Sequence, residues 1–408
     1  MKNDFHSVII VGASIAGCTA ALLYANKGID VLVLDKVHDF SAYKKHCTHF
    51  LQPCCIPVLK DLDIYEDILK IGKKSKAQFW TSAGWLLSTK ANYGNGDYAI
   101  NVERSKIDPY LKKVIDKHPL ITLQLDSNIL AVENVDELNQ TKVEFSTDGI
   151  IKSLNTNLLV AADGRYSKLG QLTENNTEIY PNDRFVHFAY YKHTSDSAIA
   201  TDFSKFWILG EDMAFVYPLM DDTLLIALYI NKERKEMWRK NLEGCFNEMV
   251  NSLDGGPELA ELKPLTSIYG MNDIASLKRS PVHKNIAFIG DASLSLDPAA
   301  GTGCSFAILS ASWLVKHTVE TIGNKTDLLK GLMNYSEEHT NWFSPHIKGI
   351  TADSLVKKDI HSDKVFYSTL LNNEQLLEDY LDLTGRLITP KEFQKLFFKN
   401  HKKELNIN

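Results

Sequence analysis

The sequence predicts an α/β chain of Rossmann type, with an antiparallel β-sheet inserted into it and a helical segment towards its C-terminal end. Three observations predict it. Residues 7–36 read as one complete βαβ unit. Two later stretches, around residues 156–164 and 285–304, repeat the passage from a buried apolar strand into a glycine turn. Between them, residues 184–230 are rich in β-branched and aromatic residues and carry no helical period.

The βαβ unit is SVIIVGASIAGCTAALLYANKGIDVLVLDK. An apolar strand, 7–11, runs into Gly12-Ala13-Ser14-Ile15-Ala16-Gly17, then into an Ala- and Leu-rich helix closed by Gly28. A second apolar strand, 31–34, ends at Asp35 and Lys36. Gly12 allows a sharp turn off the strand and Gly17 close packing of helix on sheet. The open amides of the helix start face a pyrophosphate, and Asp35 is placed to accept hydrogen bonds from an adenosine ribose. Ser14 replaces the middle glycine of the usual G-x-G-x-x-G pattern.

Further along, Lys44 or Lys45 is placed to neutralise a pyrophosphate, the alternative being a solvated loop. Residues 57–69 read as a short amphipathic helix, 78–88 as a hairpin turning at Ala83-Gly84, and Gly94-Asn95-Gly96 as a plain turn. A helix opens after Val102, with Ser105 and Asp108 at capping-box spacing; Arg104 is a phosphate contact or a surface ion pair. Residues 120–130 and 142–146 are strand-like, with a turn at Asp148-Gly149. The strand 156–162 ends in Asp163-Gly164, and Asp221-Asp222 turns the last hairpin of the inserted sheet. Residues 232–252 read as helix. The strand 285–289 ends in Gly290-Asp291, and Pro298–Gly303 forms a loop feeding a helix from about 304 to 319. Beyond 331 the chain is helical, and Thr389-Pro390 marks a helix start. Its Phe393, Leu396 and Phe397 are expected to dock on the body of the protein rather than on a membrane.

Composition narrows the function. A net charge of −6 gives no electrostatic case for nucleic acid. The polar start, MKNDFHS, reads as no secretory signal, and the uncharged run 298–315 reads as a buried helix rather than a membrane span. The six cysteines form no Cys-x-x-Cys pair and no zinc spacing. Reduced, mostly buried thiols in a cytoplasmic protein are expected, with a strained Cys54–Cys55 disulfide as the alternative.

The three strand-to-glycine passages, in this order and spacing, resemble the single-component FAD-dependent monooxygenases, the flavoprotein aromatic hydroxylases. That superfamily also holds flavin-dependent halogenases and geranylgeranyl reductases. Gly12–Gly17 with Asp35 resembles its FAD fingerprint, Asp163-Gly164 its Asp-Gly motif and Gly290-Asp291 its Gly-Asp motif. The resemblance implies an FAD-binding domain in three parts, residues 1–77, 103–180 and 276–330. It implies a substrate region from the hairpin 78–102 and the sheet and helix of 181–275, with residues 331–408 as the helical remainder.

By the same resemblance, Asp291 would hold a ribityl hydroxyl, and Pro298 would lie beside the isoalloxazine. The amides of Gly301, Thr302 and Gly303 would face the pyrimidine edge where charge gathers on reduction. Arg104 would contact phosphate or ribose and Asp163 would border the pyrophosphate. The Gly-Asp motif continues Ala292-Ser293-Leu294 where the family usually has Ala-Ala-His.

The resemblance further implies NAD(P)H as reductant, dioxygen as co-substrate, and oxygen transfer through a flavin C4a-hydroperoxide to a small apolar or aromatic molecule, by hydroxylation or epoxidation. No second complete βαβ fingerprint stands ready for NAD(P)H, as expected of that fold. A monomer or homodimer is expected. Trp80, Trp85, Phe206, Trp207 and Tyr217 are candidates to line the pocket, with core packing the alternative for each; His49 is a candidate to reach the flavin, or a surface histidine. The tryptophans, at 80, 85, 207, 238, 313 and 342, never stand two apart, which argues against the halogenase motif Trp-x-Trp-x-Ile-Pro. Phe215-Val216-Tyr217-Pro218 faintly resembles the aromatic-proline motif of the prenyl reductases. A flavin-binding protein without catalysis is the remaining alternative.

Overall fold

The computed structural model describes residues 5–87, 98–135, 140–193, 202–356 and 359–405. The turn expected at Gly94–Gly96 lies outside them.

Two large sheets carry the fold. The first has eight strands, and its core runs Val282–His283, Ile286–Phe288, Ile150–Ala161, Phe5–Val11, Val31–Leu34, Ile121–Gln124. The last five of these are mutually parallel. Both faces are covered over residues 8–11 and Val31–Leu34, which is why those stretches read as unbroken apolar runs. Ser127–Val135 and Gln140–Thr147 extend Ile150–Ala161 as an antiparallel flap, turned at Asp148 and Gly149, both at positive φ. The expected single strand 120–130 is therefore two. The chain breaks at Asp126, where φ is 52°, and leaves the parallel sheet for the flap.

The second sheet has ten strands and is antiparallel apart from one pair, Phe203–Leu209 beside Gly72–Thr81. The strand Gly72–Thr81 begins well ahead of residue 78. Its first half pairs with Ala99–Val102, and its second half pairs with Phe203–Leu209 and the short Gly84–Leu86. Arg184–His193, Thr223–Asn231, Asp212–Pro218 and Phe203–Leu209 follow one another across it. The Asp221-Asp222 hairpin turn forms as expected, with φ of 59° and 55°. A third, three-stranded sheet joins Glu178–Tyr180, Ser276–Lys278 and Leu294–Ser295.

Three helices depart from expectation. Residues 57–69 split into Ile56–Asp61 and Tyr65–Ile71, because Asp63 takes a left-handed conformation that a short polar side chain tolerates. The stretch 232–252 breaks at Asn241, whose side chain caps Leu242–Asn251 by accepting from the Gly244 amide at 3.1 Å. The helix Arg104–Asp116 has no capping box, since the Asp108 carboxylate is engaged by Arg104 and by the Lys44 amide instead.

The two faces of the ten-stranded sheet bury different partners. On one, Phe50, Phe79, Phe188, Phe206, Tyr217 and Tyr229 pack under three C-terminal helices, Ile360–Leu371, Glu374–Thr384 and Pro390–Leu405. Phe393 lies within this cluster, with Leu396 and Phe397 half-buried, so that helix docks on the body as expected. A reciprocal pair of hydrogen bonds between Thr389 and Glu392 sets its start. On the other face, Trp207, Trp80 and Trp85 pack against the helices Lys235–Lys240 and Leu242–Asn251. No helix among the described residues is long and apolar enough to cross a membrane.

Candidate cofactor site

The parallel order brings the three glycine turns to one edge of the first sheet. Val11 stands beside Ala161, and Ala161 beside Phe288. The ladder continues as Ala162 N–H donates to Val11 O at 2.8 Å and Ile289 N–H to Ala161 O at 2.9 Å. Gly12 turns away at φ 109°, and a Cβ there would lie 2.4 Å from the Ala162 oxygen. A Cβ on Gly17 would lie 1.8 Å from the Gly12 oxygen. Gly290, at φ 57°, presses against Ala16, its absent Cβ only 2.8 Å from that methyl. One seam of bare backbone thus joins Gly12, Gly17, Asp163 and Gly290.

The helix Ile15–Ala25 starts on this seam with no side-chain cap and no acid in its first turn. Its open amides and positive dipole end suit an anion. Asp35 fixes the turn: one carboxylate oxygen accepts from the Ala13 amide at 2.5 Å, the other from Val37 at 3.1 Å. Ser14 leaves its helix uncapped and accepts from Arg104 Nη2 at 2.7 Å. Arg104 is buried, and Asp108, one helical turn on, holds it with two bonds of 2.9 Å. Asp163 accepts from the Leu169 amide at 3.0 Å through Oδ2. Its buried Oδ1 has no partner among the described residues, and burial raises the carboxyl pKa. Lys36, Lys44 and Lys45 are all exposed, and of the three Lys44 reaches the site, pairing with Asp291 at 2.6 Å.

The second glycine loop lies between the seam and the aromatic face of the ten-stranded sheet. Asp297, buried and raised in pKa by that burial, pins it by accepting from the Ala299 amide at 2.9 Å and the Ser354 hydroxyl at 2.7 Å. Pro298 and Ala299 follow, with Ala299 against the aromatic cluster. Gly301 takes φ 63° with Phe50 so near that a Cβ would sit 3.2 Å from its ring. Thr302 is buried, with its hydroxyl unpartnered among the described residues. The helix Gly303–Thr318 starts without a side-chain cap or an early acid, and Gly303 is exposed. Two uncapped helix starts, a cradle that no Cβ would fit, and orphaned polar atoms on Asp163 and Thr302 fit a long dinucleotide.

That fit matches what the chain resembles. The family described as an FAD binding domain matches residues 6–341. This chain belongs to it. As a member of the FAD-binding family, it is 21% identical over 352 residues to digeranylgeranylglycerophospholipid reductase 2 of Methanosphaera stadtmanae, covering 81% of this chain and 83% of that protein. The p-nitrophenol 4-monooxygenase of Pseudomonas putida superposes with TM-score 0.75 at 14% identity, over 95% of this chain and 99% of that one. The flavin-dependent brominase Bmp2 gives 0.75 at 16% identity, over 98% and 100%. These likenesses are of fold.

The FAD-binding chain splits the aromatic candidates by face. Phe206 and Tyr217 lie on the loop side, their ring centroids 5.8 and 5.6 Å from that of Phe50. Trp80, Trp85 and Trp207 lie on the far side, with Trp85 and Trp207 bonded through their indole N–H groups to Asp254. Phe206 and Trp207 are consecutive on one strand, and consecutive residues point to opposite faces. His49 is no surface residue: it is 3% exposed, its Nδ1 accepts from the Arg104 amide at 3.0 Å, and its Nε2 meets the Tyr190 hydroxyl. With Nδ1 accepting, the proton of a neutral ring sits on Nε2. Burial raises the pKa of Tyr190, with Tyr269 adding to it. Sequence reasoning missed Tyr190 and Tyr269, for which no local signal exists, and Asp297, whose place directly before Pro298 was a capping signal. It also missed the Arg104–Asp108 pair, for which the i,i+4 spacing was a signal.

Proposed function

We propose that the chain is an NAD(P)H- and dioxygen-dependent flavin monooxygenase acting on a small apolar or aromatic molecule. Bound FAD would supply the two-electron chemistry and, once reduced, the activation of dioxygen. The observation that carries the reading is the position of the Pro298–Gly303 loop, its open helix start on one side and the buried rings of Phe50, Phe206 and Tyr217 on the other. Amides of Gly301, Thr302 and Gly303 would hold developing negative charge, and the aromatic wall would exclude water. Arg104 and the Ile15–Ala25 helix start would bind phosphate, Asp35 the adenosine ribose, and Asp291 a ribityl hydroxyl. In this reading Lys44 gives up part of its pairing with Asp291. His49 would hold a proton at Nε2 against Tyr190, a route for protons between the site and the half-buried Tyr269.

A second reading, a flavin-dependent double-bond reductase, draws support from the likeness to the prenyl reductase and from Tyr217 of the Phe215-Val216-Tyr217-Pro218 stretch, which stands on the loop side of the sheet. NADPH consumption with and without oxygen, against phenols, other aromatics and prenyl lipids, separates the two. Oxygen-dependent turnover with one atom of labelled dioxygen in the product supports the monooxygenase. Anaerobic saturation of a double bond supports the reductase and overturns the first reading.

A further inference from the structure

Cys47 and Cys304 are 257 residues apart in the chain and meet beside the Thr302-Gly303 turn with their sulfurs 3.7 Å apart. A disulfide needs about 2.05 Å, a closure of the size that side-chain rotation provides. The Arg104 guanidinium stands over both, its Nη1 3.8 Å from the sulfur of Cys304 and 4.0 Å from that of Cys47. Asp108 and Ser14 hold that guanidinium in place. The His49 amide donates to the Cys47 sulfur at 3.3 Å, and Cys304 is the second residue of an uncapped helix. These are the surroundings that stabilise a thiolate. The hydrogen bond from Cys304, with His49 and Arg104, holds the Cys47 thiol low against the opposing effect of burial. Cys47 is half-buried while Cys304 is buried, so the more accessible sulfur is also the more nucleophilic. Cys304 is held high instead, first by its hydrogen bond to Cys47 and then by burial, and so stays the protonated partner; burial raises the thiols of Cys18, Cys54 and Cys55 as well, with no sulfur beside them held low.

We propose that Cys47 and Cys304 are a redox-active dithiol, which peroxide closes to a disulfide that ties the loop around Cys47 to the helix start at Gly303. The Cys47 thiolate attacks one oxygen of hydrogen peroxide. The O–O bond breaks, the departing oxygen leaves as water after taking a proton, and Cys47 becomes a sulfenic acid. Cys304 then attacks the Cys47 sulfur. The S–S bond forms, and the sulfenic oxygen leaves with the thiol proton as a second water. The two sulfurs together lose two electrons and the peroxide gains them. The chemistry rests on the sulfur positions and not on the monooxygenase reading, although a reduced flavin meeting dioxygen without substrate would release peroxide at this place.

The test uses the full chain with whatever cofactor it carries, reduced, desalted without air and titrated with hydrogen peroxide. It is then denatured and alkylated with N-ethylmaleimide. Alkylated thiols should fall from six to four, and the digest should yield one peptide pair linked through Cys47 and Cys304 that dithiothreitol releases. In Cys304→Ser the sulfenic acid should persist and be trapped at Cys47 by dimedone, at least fivefold more than in the unaltered chain. Six alkylated thiols at a peroxide dose that oxidises methionine would overturn the proposal, as would links among other cysteines. So would an unlinked, over-oxidised Cys47 in the unaltered chain. If Cys304→Ser does not fold, the peptide map of the unaltered chain decides alone.

Discussion

Replacing Arg104 with methionine tests whether the guanidinium has a structural role beside the phosphate contact proposed for it. The side chain of Arg104 is 5% exposed and that of Asp108 2%, and the pair is bidentate. Removing the cation leaves a buried carboxylate uncompensated, which costs about 3–5 kcal/mol, whereas replacing both partners by apolar residues is often neutral. At about 2.1 cal/mol/K of unfolding entropy per residue, 408 residues give roughly 0.9 kcal/mol/K if the chain melts as one unit. Arg104→Met should therefore lower Tm by about 3 to 6 °C in scanning calorimetry of the FAD-free protein. The double variant Arg104→Met/Asp108→Leu should recover most of that, short of about 1 kcal/mol for the Lys44 amide, which loses its acceptor. FAD affinity, followed by flavin fluorescence, should stay weakened in both. A single variant within 1 °C of the parent, or a double variant no better than the single, would refute the reasoning.

Gly290→Ala combines a left-handed backbone, about 1–2 kcal/mol, with crowding of Ala16, about 1–3 kcal/mol; purified protein should carry less flavin and melt earlier, read by absorbance and calorimetry. Burial lowers the pKa of His339 and His346 to about 3, against about 6.5 when unfolded, so both are neutral in the fold. Their contribution is intact above pH 6.5 and is lost as pH falls from there towards 3, by up to about 1.4 kcal/mol per unit for each. His346→Leu, among Phe306 and Trp342, should then narrow the stability lost between pH 7 and pH 5 by about 2 kcal/mol in denaturant titrations; parallel curves would count against it. Thr389→Ala removes half of a reciprocal cap worth about 1 kcal/mol, and amide exchange in Pro390–Leu405 should quicken roughly fivefold without change in the first sheet.

The strand-to-glycine passages were legible because each is a local event: an apolar run, then a residue that tolerates positive φ. Their convergence could be argued from the parallel order that such units impose. What escaped was long-range or hidden by charge. Lys73, Lys74 and Lys76 mask the start of Gly72–Thr81, a strand with solvent on one side for part of its length. Phe206 and Trp207 looked equivalent by residue type, and only the period of two, applied strictly, separates them. His49 meets Tyr190 across 141 residues, and Cys47 meets Cys304 across 257, pairings that no spacing encodes. Arg104 and Asp108 were within reach, but Ser105 offered the same aspartate a competing role as a cap.

The helices between Ile360 and Leu405 are the lid of the aromatic face, and they leave the ribosome after every strand they cover. For the time it takes to translate the last third of the chain, a broad oily wall has nothing to rest against. Nascent protein should therefore lean on a holding chaperone late in synthesis, and stalled or truncated chains ending before residue 360 should be the ones that clump.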